Sequence, residues 1–484
     1  MIDLARRALD AAWSRGASYA DVRAVESRGR TLGVKNGKVS QVSEDESAGI
    51  GIRVIVDGAW GFAATDDLTN AGIESAARLA LEIATASASA KKYDIRLAPE
   101  PPARLTWVSP CAIDPFSIPV ETQVALLLEA DAEMRREKGI TLTEASLVFE
   151  RARQIYLSSE GSEIDQTRTV TGAGMCCYSF GEGEIQKRSY PNSFGGQYQL
   201  RGWDLALELE LAKHAPRLAS ECVALHSADP CPEITGNLIL DSAQLGLQIH
   251  ESVGHPIELD RVLGSEANYA GMSFLTLDQL DRLRYGSEIV NVVCDATEAH
   301  GPGLGTFAFD DEGVAAQRVD IIKAGQFKGY MSSRETAHAI GQNRSNGTMR
   351  ATSWNRLPLI RMTNVSLLPG TSSLDEVFGV DHGIYMETNR SWSIDDKRYN
   401  FQFGCEIGWE IKNGKRVRML KNPTYSGIST DFWNSCTAIA GPEHWTLWGV
   451  PNCGKGQPEQ VMGTGHGASP SRFANIKIGG GLPE

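Results

Sequence analysis

The sequence predicts an α+β fold in which N-terminal α/β units are followed by a β-rich C-terminal domain. Two patterns support this prediction. Helical and extended patterns alternate over the first half of the chain, whereas short apolar runs between glycine turns dominate the second half. The 484 residues also exceed the roughly 250 to 300 at which single hydrophobic cores stop growing. We therefore expect two or three packed units.

Residues 1–95 are predicted to form an N-terminal α+β domain. The chain starts with acidic and arginine side chains interleaved with Ile2, Leu9 and Trp13 at helical spacing, which indicates an amphipathic helix. Residues 17–63 are expected to be extended. Within them, Asn36-Gly37 stands between β-favouring residues and is typical of a type I′ hairpin turn. A second helix over roughly residues 68–85 should carry one apolar face.

Six prolines between Pro99 and Pro119 predict a break in regular structure, because proline is excluded from helix interiors and central strands. We interpret residues 96–119 as a proline-rich connector and residues 120–232 as a middle α/β domain. The middle domain should begin with a helix over residues 120–138 and continue with strands. A later helix is expected to be interrupted at Pro216.

Residues 233–484 are predicted to form the β-rich C-terminal domain, with one helix near its start. Asp241 can cap that helix, and Gln244 stands three residues further on. Leu245, Ile249 and Val253 continue the helical spacing. The helix should end at the segment H-E-S-V-G-H, residues 250–255.

Composition excludes several classes of function. The formal net charge of −13 opposes nucleic-acid binding, and no dense basic patch counteracts it. No stretch approaches the about 20 apolar residues of a membrane span, and the amphipathic N-terminus lacks a signal-peptide core. The nine cysteines form neither a C-x-x-C pair nor a disulfide framework. We therefore expect a cytoplasmic protein that binds neither nucleic acid nor membranes.

The H-E-S-V-G-H segment is a candidate zinc site. Neutral imidazoles are good zinc ligands, and Glu251 beside them could accept a proton from water activated by the metal. The interval between His250 and His255 is five residues rather than the familiar four, which separates them by about 140° on a regular helix. The helix must therefore deform. Gly254 can leave the α region, and Pro256 biases His255 towards extended geometry.

A catalytic zinc site normally has three protein ligands and one open position, so a third donor must come from elsewhere in the chain. Glycines around Cys453 allow close backbone approach, and Lys455 could stabilise its thiolate. These residue patterns leave four candidates for the third donor: Cys294, His300, Cys453 and His466.

His466 and His300 lie in glycine-rich segments and are also candidates for stabilising an oxyanion. Tyr330 and Arg334 are possible substrate contacts.

An acidic run, Asp310-Asp311-Glu312, precedes a glycine. It could attract a second metal ion or a peptide N-terminus, but such runs are more typical of a solvated turn. We therefore expect it to lie outside the site.

Several strings resemble the TldD/PmbA family, whose names include "modulator of DNA gyrase" and whose catalytic members are zinc peptidases. The resemblance covers nearly the whole chain. Its N-terminal part is carried by A-S-Y-A-D-V-R, G-V-K-N-G-K-V and G-I-G-I-R-V-I-V-D-G-A-W-G-F. The more specific C-terminal strings are H-E-S-V-G-H-P-I-E-L-D, F-D-D-E-G-V, G-Y-M-S-S-R, R-M-T-N-V-S-L-L-P-G and N-C-G-K-G-Q-P.

The resemblance implies a zinc-dependent peptidase that acts on unfolded proteins or peptides. It implies that His250, His255 and Cys453 bind Zn²⁺ and that Glu251 is the catalytic base. It further implies a dimer, formed either by two copies of this chain or with a related non-catalytic subunit. Two alternatives stay open at this point: a binding or modulator subunit with structural zinc, and a zinc amidohydrolase acting on small molecules.

Overall fold

The computed structural model describes residues 1–181 and 183–479, and it confirms the predicted α+β fold. One sheet, the first sheet, is the scaffold of the N-terminal half. Its described strands are β1 (Tyr19–Lys35), β2 (Lys38–Val56), β3 (Ala59–Thr65), β4 (Arg104–Val108), β5 (Ile140–Ser158), β6 (Glu163–Gly181), β7 (Glu184–Tyr190) and β8 (Gln197–Gln199). Their order is β3-β2-β1-β5-β6-β4, and β7 and β8 both pair with β6. Asn36 and Gly37 have φ angles of 49° and 75°, so the predicted left-handed turn joins β1 to β2.

The proline-rich connector contributes β4 to the edge of the first sheet, where it pairs in parallel with β6. An edge position suits a strand flanked by prolines, because one side of it needs no hydrogen-bond partner. β1 pairs with β5 from Asp21 opposite Ser158 to Lys35 opposite Glu144. Strands from residues 1–95 and 120–232 therefore share one sheet. The division of the chain at the connector stays a prediction.

Helices cover one face of the first sheet. They are α1 (Ile2–Trp13), α2 (Asn70–Ala88), α3 (Val120–Met134), α4 (Trp203–Glu208) and α5 (Leu211–Ala224). Alternate side chains of β1 and β5, such as Val22 and Leu147, are buried beneath them. The opposite face contacts the C-terminal half, where the Tyr156 hydroxyl donates to the backbone oxygen of Glu312 at 2.9 Å.

The predicted interruption at Pro216 is wrong. Pro216 lies inside α5, and the break falls before that helix, at Glu210, whose φ is 44°. Leu211, Ala215 and Leu218 of α5 are buried, so packing of this apolar face outweighs the hydrogen bond that proline cannot make.

The C-terminal half contains a second sheet that closes on itself. Its described strands are β9 (Asp229–Pro230), β10 (Ile234–Leu240), β17 (His382–Ile394), β18 (Asn400–Lys412), β19 (Lys415–Lys421), β20 (Thr424–Ile428), β21 (Cys436–Ile439) and β24 (Ser471–Ile478). β17 pairs with both β10 and β18, which closes the path β17-β10-β24-β20-β18 into a barrel-like ring. Asn413 and Gly414 have φ angles of 49° and 75° in the tight turn between β18 and β19.

A third sheet lies beside this ring. Its described strands are β11 (Val292–Asp295), β12 (Arg318–Lys323), β13 (Gln326–Phe327), β16 (Asn364–Leu367), β22 (Thr446–Lys455) and β23 (Gln460–Ala468). A separate pair is formed by β14 (Met349–Arg350) and β15 (Leu359–Ile360). The described helices of this half are α6 (Ser242–Ile249), α7 (Leu259–Val262), α8 (Leu374–Phe378) and α9 (Ser429–Asn434).

Helix α6 is the predicted early helix, and its described residues are almost all buried. It contacts β17 of the second sheet and β16, β22 and β23 of the third. This position between two sheets directs its C-terminal end towards the β22–β23 hairpin. In the described part of the chain, no helix has the length and apolar character needed to cross a membrane.

Candidate metal centre

The N-terminus of α6 is fixed by the predicted cap. The Asp241 carboxylate accepts hydrogen bonds from the backbone N–H groups of Gln244 at 2.9 Å and Ala243 at 3.3 Å. The Gln244 side chain donates to the Tyr425 hydroxyl at 2.9 Å instead of returning to the cap. Asp241 therefore anchors the helix that carries the H-E-S-V-G-H segment at its other end.

The helix deforms at that segment, as the five-residue interval requires. Residues His250–Gly254 form a π-helical turn, in which the backbone N–H of His255 donates to the oxygen of His250. A π turn closes over five residues, so both histidines can face the same side. Gly254 and His255 keep helical angles, so the segment forms a wide turn and does not unwind. Gly254 is needed for space instead, because a Cβ there would collide with the sulfur of Met362.

The π turn brings three metal-binding side chains together. The donor atoms of His250, His255 and Cys453 all lie within 4.8 Å of one another. Cys453 comes from β22, and its Sγ lies 3.9 Å from Nε2 of His255. All three residues are buried, and no fourth Cys, His, Asp or Glu joins the group among the described residues.

Each histidine of the group is held by a second side chain. His466 Nδ1 lies 3.0 Å from the backbone oxygen of Val365, so Nδ1 carries the proton and Nε2 is an acceptor. That Nε2 lies 2.8 Å from His250 Nδ1, which therefore donates. His255 Nδ1 donates to the Glu258 carboxylate at 3.0 Å. Both histidines are left with Nε2 lone pairs, the arrangement typical of metal-ligating histidines.

The pKa values of the histidines and of Cys453 are shifted in the directions that suit a metal site. Burial lowers the pKa of His250, and it lowers the pKa values of His255 and His466 well below the usual histidine value. Burial acts to raise the pKa of Cys453, but nearby His255 and Arg361 outweigh it, so this pKa is lowered. Neutral imidazoles and a thiol that readily ionises are the donors that zinc prefers.

Lys455 has a different role from the one its sequence position suggests. Its ammonium group is fully buried and lies 2.8 Å from Asp260, 3.3 Å from Glu258 and 3.3 Å from Glu266. It neutralises carboxylates around Glu258, the partner of His255, and within the described residues it forms no hydrogen bond with the Cys453 sulfur. Lys455 therefore links the strand of Cys453 to the segment that follows the π turn.

Glu251 faces an arginine that the sequence does not single out. Arg398 Nη1 donates to the Glu251 carboxylate at 2.7 Å. Arg398 lies in the turn between β17 and β18 with a φ of 63°, an uncommon conformation for a side-chain-bearing residue. Its Nε is buried without a hydrogen-bond partner among the described residues. No local motif identifies Arg398, because it meets Glu251 only through the fold.

The other candidate ligands lie apart from the group. Cys294 is buried on β11, where its Sγ contacts the Thr363 hydroxyl at 2.8 Å and burial raises its pKa to about 11. His466 is fully buried behind His250, and both of its nitrogens have partners, so its position does not support the candidate role of stabilising an oxyanion. The side chain of His300 lies outside the described part of the structure.

The acidic run is buried, so the expectation of a solvated turn is wrong. Asp310 accepts hydrogen bonds from backbone N–H groups, including that of Met349 at 3.0 Å. Asp311 accepts from Gln154 at 2.7 Å, and Glu312 pairs with Arg53 at 3.2 Å. These contacts join the first sheet to the C-terminal half.

The possible substrate contacts are also occupied. The Tyr330 hydroxyl donates to the backbone oxygen of Thr276 at 2.8 Å, and the Tyr330 side chain is fully buried. Arg334 pairs with Glu160 at 2.7 Å.

Comparison with known proteins identifies one protein family over most of the chain. Residues 20–84, 113–223 and 235–480 match domain 1, the central domain and the C-terminal domain of the PmbA/TldA metallopeptidases. These three matches place the chain in a class of metallopeptidases. The chain belongs to the PmbA/TldA metallopeptidase family, which confirms the resemblance to TldD/PmbA proteins.

Curated relatives carry matching names. A metalloprotease of Methanocaldococcus jannaschii is 29% identical over 93% of this chain and 95% of its own length. A metalloprotease TldD homolog of Buchnera aphidicola is 27% identical, over 92% of this chain and 89% of its own. A zinc metalloprotease TldD homolog of Saccharolobus solfataricus is 29% identical over 50% of this chain and 51% of its own.

Solved structures share the fold. A protein of Thermotoga maritima described as a candidate modulator of a DNA gyrase superposes with a TM-score of 0.79 at 16% identity, covering 99% of this chain and 100% of its own. TldE from Thermococcus kodakarensis superposes with a TM-score of 0.74 at 15% identity, again covering 99% and 100%.

Proposed function

We propose that this chain is a zinc-dependent peptidase that hydrolyses peptide bonds of unfolded proteins or peptides. The observation that carries the proposal is the convergence of His250, His255 and Cys453 beside Glu251 at the π turn. Membership of a metallopeptidase family and the zinc in the name of the S. solfataricus relative support it.

His250, His255 and Cys453 would hold the zinc ion. When bound, zinc supplies a Lewis acid that polarises a carbonyl group and lowers the pKa of water to about 7. His466 and Glu258 keep the Nδ1 protons of the two histidines in place, which leaves the Nε2 atoms as donors.

Glu251 is the proton carrier in this proposal. Its carboxylate accepts a proton from the attacking water and returns it to the departing amine nitrogen. Arg398 holds that carboxylate at 2.7 Å, and its buried Nε has no partner among the described residues. We assign Arg398 the role of stabilising the negative charge that develops on the carbonyl oxygen, because a fixed cation there stabilises the transition state.

A binding subunit with structural zinc is the first alternative. Structural sites are usually closed by four protein ligands, whereas the group in the described residues has three. The three-donor set therefore favours a reactive centre with an open position.

The test compares zinc-loaded wild type, Glu251→Gln and the surface control Glu74→Gln on a pool of unfolded peptides. We expect cleavage by wild type and control, and a rate lower by at least about 100-fold in Glu251→Gln with equal bound zinc. Equal cleavage by all three proteins contradicts the proposal. Turnover of small amides without peptide cleavage would instead support the amidohydrolase alternative.

We further propose that the chain acts as a dimer, either with a second copy or with a related non-catalytic chain. The similarity to TldE supports a related partner. The mass of the purified chain in solution tests this: twice the chain mass supports a homodimer, and the single mass supports a different partner.

A further inference from the structure

A cavity of about 310 Å³ lies between the first sheet and the hairpin that carries Cys453. Its first wall belongs to the face of β5 and β6 that the helices leave uncovered. The opposite wall belongs to β22 and β23. Most of the side chains on both walls are apolar: Val148, Ala152, Val170, Pro451, Val461 and Met462.

The cavity adjoins the candidate metal centre. Met462 lines it and stands directly opposite Cys453 in the β22–β23 pair. Arg350 forms part of the wall and donates to the backbone oxygens of Met362 at 2.7 Å and Gly463 at 2.9 Å. Met362 in turn packs against Gly254 of the π turn. These contacts place the cavity beside the metal-binding group.

The described side chains that line the cavity carry more positive than negative charge. Arg168 lines it, is only half-buried, and its guanidinium makes no hydrogen bond or ion pair within the described residues. Arg350 is buried, and its Nε has no hydrogen-bond partner there. Burial and the nearby Arg168 lower the pKa of Arg350 to about 9. Glu150 is exposed at the rim and is the one carboxylate among the described lining residues.

The free guanidinium of Arg168 in an apolar cavity, with the Arg350 cation beside it, matches one kind of ligand. A carboxylate on a short aliphatic stem can place methylene groups against the apolar walls and accept charge-assisted hydrogen bonds from a guanidinium. It would also reduce the repulsion between the two cations. An apolar side chain would fill the volume but leave the guanidinium of Arg168 without a partner in the cavity.

We propose that this cavity is a specificity subsite that binds a carboxylate of the peptide through Arg168, with Arg350 adding positive charge. The inference rests on the proposed peptidase function, since it places the ligand on a peptide. The carboxylate can come from an aspartate or glutamate side chain or from the C-terminus, and the test separates these sources.

Binding is measured on zinc-loaded Glu251→Gln protein, which keeps the cavity and removes turnover. The probes are unfolded peptides that differ only in one Glu or Gln residue, each with a free or an amidated C-terminus. We expect a carboxylate to tighten binding by about tenfold or more. A preference for Glu over Gln identifies a side chain, and a preference for the free over the amidated end identifies the terminus. Equal affinities for all four peptides would overturn the proposal.

Substitution of Arg168 then tests whether this arginine binds the carboxylate. In the Glu251→Gln background, Arg168→Gln should abolish the carboxylate preference, whereas Arg168→Lys should keep much of it. Arg153→Gln is the control, because Arg153 is an exposed arginine of β5 that pairs with Asp165 outside the cavity. Retention of the full preference in folded Arg168→Gln would overturn the assignment. Failure of wild-type protein to cleave any peptide would count against the peptidase function and not against the binding preference.

Discussion

The π turn at His250–Gly254 and the acidic run Asp310-Asp311-Glu312 both concentrate buried ionisable side chains, but they differ in what their atoms contact. In the acidic run, each carboxylate accepts hydrogen bonds from backbone N–H groups or from arginine and glutamine side chains. At the π turn, only the outer nitrogens of the histidines have partners, and the inner nitrogens and the thiol face one another.

This difference separates a structural cluster from a reactive one. A cluster whose groups are all paired stabilises the contact between two parts of the chain and has no free donor for a ligand. A cluster with converging lone pairs and neutral imidazoles is prepared for a cation. We therefore expect substitutions in the acidic cluster to affect stability and substitutions at the π turn to affect metal binding and turnover.

The largest expected effect is on stability, from Arg53→Met. Arg53 pairs with Asp21 at 2.6 Å and with Glu312 at 3.2 Å, and all three side chains are buried. Its removal leaves two carboxylates without their cation, which costs about 3–5 kcal/mol. Urea unfolding measures this loss. Arg6→Met, which breaks an exposed pair with Glu163, is the control and should change stability little. Equal stability of both variants would contradict a structural role for the cluster.

A smaller effect, confined to turnover, is expected from Arg398→Ala. Loss of one donor at a developing oxyanion typically lowers kcat by about 100-fold or more. Bound zinc and the unfolding midpoint should stay close to wild type, since Arg398 hydrogen-bonds to Glu251 and, within the described residues, to none of the three donors. Added guanidinium ion should restore part of the kcat. An unchanged kcat would remove Arg398 from the mechanism.

The smallest effect should come from the groups that hold the histidines. His466→Ala removes the partner of His250, and Glu258→Gln replaces the charged acceptor of His255 by a neutral amide oxygen; loss of such support typically lowers metal affinity by about 10- to 100-fold. Competition with a chromophoric chelator measures the zinc dissociation constant. His444→Ala, on a partly exposed histidine away from the group, should leave that constant unchanged. Wild-type affinity in both test variants would show that the partners do not tune the site.

Features that depend on local geometry could be predicted from the sequence. Asn36-Gly37 accepts positive φ angles, and Asp241 caps the nearest free N–H groups, so both were identifiable from short strings. The five-residue interval from His250 to His255 likewise required a deformed helix.

Features that depend on contacts between distant segments could not be predicted in this way. Arg398 is 147 residues from Glu251 in the sequence, and the buried Asp311 accepts a hydrogen bond from Gln154 on the distant strand β5. No spacing rule connects these positions. Gly254 illustrates an intermediate case, because its importance was predictable but the reason, the sulfur of Met362, was not.

The central claim is that Cys453 completes a metal site with His250 and His255, and zinc content tests it most directly. Cys453→Ala and the control Cys294→Ala each remove one buried cysteine, one from β22 and one from β11. After purification with zinc, elemental analysis should find one zinc ion per chain in wild type and Cys294→Ala, and little or none in folded Cys453→Ala. Full zinc occupancy in Cys453→Ala would contradict the account.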